Sequence, residues 1–218
     1  VTTLTAQKAH DKGLELLVPV GISYYTFKKI SYLVDVYRET REPEKQLSLF
    51  ALYVSFFPEI MAGPIDRAGA LIPQFRQEKG FDYQRVTDGL KLMAWGFFKK
   101  LVIADRLAAF VDKVYGNPTH YEGLSLVAAT VYFSFQVYCD FSGYTDIARG
   151  AGKVLGFDMM ENFNRPYFSK SIGEFWKRWH MSLSNWLMDY LFLPIAYSIS
   201  RRLKRPELLK IKAETWAY

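Results

Sequence analysis

The chain has 218 residues, with 28 Lys and Arg against 22 Asp and Glu for a net charge of +6, and a mean hydropathy of −0.05. That length admits one domain with a sizeable core or several membrane spans, and the single cysteine, Cys139, excludes an internal disulfide and a cysteine-rich metal site. Aromatic residues make up 17% and lie inside apolar runs rather than among the basic residues, which argues against a nucleic-acid partner.

Five apolar segments follow in chain order. Residues 14–37 are rich in aromatics and carry Pro19 and Gly21 near their start. Residues 47–65 contain one acid, Glu59, and end in Ala62-Gly63-Pro64. Residues 86–114 are amphipathic, with Lys91, Lys99, Lys100, Asp105 and Arg106 spread through them, as expected of an interfacial or half-buried helix. Residues 124–139 hold no charge, and residues 181–200 carry one acid, Asp189, and one proline, Pro194. A spanning helix wants roughly 20 apolar residues, and two or three of these runs approach that. Linkers fall at 38–46, 73–83, 116–123 and 156–167, where Gly, Pro, Asn and charge gather. Basic clusters at Arg38/Arg41, Lys99/Lys100 and Arg201–Arg205 sit between the runs. The last of these suggests that the end after Leu193 faces the cytoplasm. The expected class is all-α: a polytopic membrane protein, a multi-helix bundle with interfacial or re-entrant helices.

The run FWKRWHMSLSNWLMDYLFL, 175–193, carries the chemistry. It places His180 at the mouth of an apolar stretch, where an ionisable group is costly and therefore a functional candidate. Trp176, Trp179 and Trp186 suit a membrane–water boundary. On one continuous helix His180 would share a face with Trp176, Ser184, Leu187 and Leu191. Arg178, Ser182, Asn185 and Asp189 would form an opposite polar stripe that glues this helix to a neighbour. Nine positions separate His180 from Asp189, so they cannot pair within that helix. An orienting partner must come from elsewhere, and 136–150 offers Gln136, Asp140 and Tyr144 on one face, with Gly143 permitting close approach. Asp146 and Arg149, three apart, suit a mutual pair, and Cys139 suits a buried, inert thiol.

Other motifs fail. The run Gly150-Ala-Gly-Lys-Val-Leu-Gly156 has the wrong spacing for a dinucleotide turn and lacks the Ser/Thr of a phosphate loop. There is no Gly-x-Ser-x-Gly elbow. His10 and His120 read as surface residues, and three scattered histidines give no metal site. A partly buried imidazole stays neutral and can take a proton from an alcohol attacking a carbonyl, help worth about 10²–10⁴ in rate. The residues alone leave any proton transfer open. A transporter using Asp140, His180 and Asp189 as a proton or solute path, or a noncatalytic membrane scaffold, is the rival reading.

Four strings go further: PVGISYYTFKKISYLVDVYR at 19–38, SFFPEIMAGPIDR at 55–67, YCDFSGYTDIARGAGKVLGF at 138–157 and NFNRPYFSKSIGEFWKRWHMSLSNWLMDYLFLPI at 162–195. They resemble the membrane-bound O-acyltransferase family, in its bacterial, alginate-acetylase type. The resemblance implies a multi-pass protein of the bacterial inner membrane. It further implies transfer of an acyl group, usually acetyl, from a cytoplasmic acyl-CoA or acyl-carrier thioester, with no bound cofactor. The acceptor would be a hydroxyl of an extracytoplasmic polysaccharide such as alginate, and accessory acetylation proteins are expected partners alongside the lipid bilayer. His180 matches the family's RWH histidine, and Trp176, Arg178, Ser182 and Asp189 match its companions on the donor side. Ser184, Asn185, Asp140 and Tyr144 join them as candidate substrate-binding residues. The family also carries a second histidine, usually assigned as its catalytic base, in a Trp-His-Gly motif on a later helix, which nothing after Leu193 resembles. Residues 1–218 are therefore expected to be one internal fragment, inactive in isolation.

Overall fold

The structure, a computed structural model, describes residues 21–203, and these are helical with short connections. His10, Pro19, the start of the first apolar run and the side chains of the 201–205 basic cluster lie outside the described residues.

Helix α1 (Ile22–Tyr37) starts at Gly21, whose φ of 76° puts it in the left-handed region. A Cβ there would also lie 2.3 Å from the Ile60 carbonyl oxygen, so glycine is required twice over. The 47–65 run does not form one helix. It gives α2 (Leu47–Ser55) and a 3₁₀ turn (Phe57–Glu59), because Pro58 has no N–H to continue the ladder. Helix α3 (Ala68–Phe75) follows, overlapping the linker expected from residue 73. Tyr53, Leu71 and Ile72 are fully buried between these elements. Phe56, Phe75 and Phe157 meet edge to face with ring centroids 5.2–5.3 Å apart, which adds to the area term.

Inside this packing lies an ion pair. Lys28 of α1 and Glu59 of the 3₁₀ turn are 2% and 1% exposed, the ammonium bonding the carboxylate, with the Tyr53 ring 4.5 Å from Nζ. Removing one member strands a buried charge, at a cost of about 3–5 kcal/mol, whereas replacing both by apolar groups is often neutral. Glu59→Ala should therefore lower the melting midpoint of the detergent-solubilised protein, and the double substitution Lys28→Met with Glu59→Leu should restore most of it. A double variant no more stable than Glu59→Ala would contradict this account.

The 83–116 region is helical throughout. Helix α4 (Tyr83–Phe97) is capped by Asp82, whose carboxylate accepts from Arg85 N–H at 2.9 Å. It runs through a π-helical stretch (Phe98–Ala104) into α5 (Asp105–Gly116). After the linker, α6 (Leu124–Leu155) returns antiparallel. Its 32 residues reach about 48 Å at 1.5 Å each, well past its uncharged first half. Among the described residues α6 alone is long and apolar enough to cross a membrane, fewer than the two or three spans the hydropathy suggests. The 47–65 run is shortened by the break at Pro58.

Glycines join α4 to α6. Gly96 packs on Gly143 and Gly89 on Gly150, so close that a Cβ at 96 would lie 2.6 Å from the Gly143 carbonyl oxygen and one at 89 would lie 2.8 Å from that of Gly150. Two lysines in the π-helical stretch then reach α6. Lys99 pairs with Asp146 at 2.6 Å and donates to Ser142 at 3.0 Å. Lys100 pairs with Asp140 at 2.6 Å and Asp105 at 2.7 Å. Asp146 lies 4.0 Å from Arg149, so the expected pair is secondary to Lys99.

Candidate functional site

The 175–193 run is not one helix. Helix α7 (Ile172–Arg178) is capped by Ser171, whose Oγ accepts from Glu174 N–H, while Glu174 accepts from Lys170 N–H one residue further back. The chain then breaks at Trp179–His180, where His180 takes φ 44°, ψ 53°, and restarts as α8 (Met181–Leu187). The cause lies 18 residues earlier. Met181 N–H donates to the Asn162 carbonyl and Asn164 N–H to the Arg178 carbonyl, each at 2.9 Å, and Phe163 bridges Trp179. Backbone groups that a continuous helix would pair internally go to this loop instead.

The break alters the expected faces. Trp176 and Arg178 belong to α7 and share no helix with His180. Trp176 is 51% exposed, and Arg178 pairs with Glu174 at 2.6 Å. Asn185 is exposed, and Ser184 Oγ donates to the Trp179 carbonyl at 3.3 Å. Asp189 turns to Arg67 at 3.1 Å, so the four polar residues make no single stripe. Asp140 does not orient His180. It pairs with Lys100, whose ammonium also lies 5.6 Å from the Tyr144 ring centroid. Trp186 is not a boundary residue either, because it is 7% exposed and donates from Nε1 to the Phe27 carbonyl at 3.1 Å, tying α8 to α1. Cys139 is buried, as its apolar neighbours suggest.

The partner of His180 is Asn162, a residue sequence reasoning missed. Its Oδ1 lies 2.9 Å from His180 Nδ1, 3.2 Å from Ser182 N and 2.9 Å from Ser182 Oγ. Asn162 and Ser182 are each 1% exposed. Phe141 of α6 meets the imidazole edge to face at 4.7 Å, and Phe163 lies nearly parallel to it at 6.5 Å. The ring is half-buried, and that loss of water pushes its pKa down to about 4, so the neutral form prevails. With Ser23, Tyr24, Phe27, Ile65 and Leu183 it lines a cavity of about 170 Å³. A larger groove of about 580 Å³ runs along Asp35, Arg38, Asp189 and Tyr190. It is not lined by His180.

Helix α9 (Leu193–Leu203) is preceded by a π-helical stretch at Met188–Phe192, which accommodates Pro194. The widened turn ahead of it relieves the missing N–H and the ring clash that proline brings to a helix.

A half-buried neutral imidazole beside a small cavity suits proton transfer in many enzymes; comparison with known proteins narrows the choice. The sequence pattern of MBOAT, the membrane-bound O-acyltransferase family, matches residues 45–210. The chain belongs to this family. It is 46% identical over 182 residues to a probable alginate O-acetylase, AlgI, of Pseudomonas aeruginosa, an alignment covering 83% of this chain and 34% of that protein. It is 35% identical over 214 residues to a peptidoglycan O-acetyltransferase of Helicobacter pylori, covering 86% of this chain and 41% of the relative. A teichoic acid D-alanyltransferase of Bacillus subtilis is 30% identical over 203 residues, covering 91% and 51%. The chain thus spans about a third to a half of the length of these MBOAT relatives. Asp140, His180 and Asp189, the proposed transport path, fall in three separate networks, with Lys100, Asn162 and Arg67 as partners.

Proposed function

We propose that this chain is one region of a membrane O-acyltransferase in which His180 serves the reaction centre as a base. The acyl group, acetyl by kinship, passes from a cytoplasmic acyl-CoA or acyl-carrier thioester to a hydroxyl of an extracytoplasmic polysaccharide such as alginate. On this proposal the protein would sit in the bacterial inner membrane with several passes and with accessory acetylation proteins as partners. One observation carries the reading: a neutral imidazole, hydrogen-bonded on one nitrogen, walls a cavity of about 170 Å³ otherwise lined mostly by apolar side chains.

The chemistry follows from that setting. The hydroxyl oxygen attacks the thioester carbonyl as the free nitrogen of His180 takes the hydroxyl proton. The C–O bond forms, the C–S bond breaks, and the thiolate recovers a proton on departure. Trp176 and Arg178 remain candidate contacts on the donor side, Ser184 and Asn185 remain candidate substrate contacts, and Ser182 supports the loop that holds His180. Asp189, through Arg67, and Asp140 with Tyr144, through Lys100, would shape the walls around the passage.

The full-length protein in proteoliposomes, given labelled acetyl thioester on one side and alginate on the other, should deliver label to the polymer. Label appearing as free solute across the bilayer, with none on sugar, would support transport instead.

A further inference from the structure

We infer that Asn162 is a positioning residue that fixes the tautomer of His180, keeping the proton on Nδ1 and the lone pair on Nε2. The functional weight of this inference rests on the transferase reading above; its geometry does not.

The assignment follows from the network around one amide. Ser182 N–H is a backbone donor and can accept nothing, and it lies 3.2 Å from Asn162 Oδ1. Turning the amide over would set an NH₂ group against that N–H. The atom facing Ser182 is therefore the oxygen, and Ser182 Oγ, 2.9 Å from the same atom, donates to it as well. His180 Nδ1 also faces this oxygen at 2.9 Å, so Nδ1 must be the protonated nitrogen of the neutral ring. Asn162 is 1% exposed, which keeps water from competing for the contact. The peptide on either side is zipped onto 178–181 by the Met181–Asn162 and Asn164–Arg178 bonds, so the amide cannot drift.

An uncharged partner suits the task. A carboxylate at this point would stabilise the imidazolium and hold a proton on the base, whereas an amide orients the ring and leaves it neutral. Phe141 and Phe163 flank the ring, and the cavity beside it offers Tyr24 as its titratable group, with Ser23, Phe27, Ile65 and Leu183. Nothing in this set of contacts replaces Asn162 as the acceptor for Nδ1.

The test is a long-range ¹H–¹⁵N correlation spectrum of the full-length protein, labelled with ¹⁵N-histidine and held in detergent micelles. Wild type should show His180 as the Nδ1–H tautomer near neutral pH. Asn162→Ala should shift the ring toward the Nε2–H form that free histidine prefers. Asn162→Asp should keep Nδ1–H and raise the imidazole pKa by about one pH unit or more. An Nε2–H ring in wild type, or an unchanged tautomer in Asn162→Ala, overturns the inference. If Asn162→Ala fails to fold, Asn162→Asp decides alone, because an unmoved titration refutes it. These readouts need no turnover, so a protein that transfers acyl groups yet shows Nε2–H would sink this inference and spare the transferase.

Discussion

Replacing His180 in the full-length protein is expected to cut acyl transfer by about 10²–10⁴-fold, the usual worth of a positioned general base, with membrane insertion unchanged. The backbone at 180 has φ 44°, a conformation that Asn tolerates and Ala does not. His180→Asn is therefore the cleaner variant, and His180→Ala should lose the same activity with some added instability. Wild-type activity should also keep its acid limb well below the ordinary histidine range, since the folded ring titrates near 4. The sign for stability is fixed by the same shift. The folded pKa is below the unfolded value of 6.5, so the unfolded chain binds the extra proton. Stability then falls as pH drops from about 6.5 toward 4 and is unaffected by this group above that window. An activity profile with its acid limb at pH 6.5, or full activity in His180→Asn, would reduce His180 to a structural role.

The second large effect is a change of sign. Gly to Ala in a helix interior normally stabilises by about 1 kcal/mol, and Gly116→Ala, with nothing within 4 Å of the added carbon, should be neutral or slightly stabilising. At Gly96 the added carbon would meet the Gly143 carbonyl oxygen at 2.6 Å and the Ile147 nitrogen at 2.9 Å. Backbone cannot rotate away as a side chain can, so α4 and α6 must move apart. Overpacking of this kind typically costs about 1–3 kcal/mol, and the upper end applies because separation also stretches the Lys99–Asp146 and Lys100–Asp140 pairs, each 2.6 Å. Thermal melts in one detergent should place Gly96→Ala clearly below wild type and Gly116→Ala level with it or above. Equal midpoints for the two variants would mean that the helices are not in backbone contact.

Much of this architecture was legible in the chain. The uncharged run from Leu124 announces α6, and Gly116 to Gly123 and Gly156 to Tyr167 read correctly as connections. His180 stands out because no other titratable group near neutral pH borders so apolar a run. What escaped has a common physical origin in contacts between distant residues. No Gly or Pro marks the break at Trp179–His180, because the cause is backbone pairing with 162–164. Asn162 reads as an ordinary turn residue until Ser182 and His180 are brought against its oxygen. Lys28 and Glu59 are 31 residues apart, and neither reveals the other.

The segment between Leu155 and Ile172 has the composition of a permissive connector, the sort of loop that ordinarily accepts insertions or tags at little cost. Its middle is in fact clasped, with 162–164 laced to 178–181. A residue added ahead of Asn162 would shift the clasp and turn the imidazole with it. Variation in length can enter without that penalty only within the arc the clasp encloses, which makes this apparent spacer a gauge that sets the placement of the base.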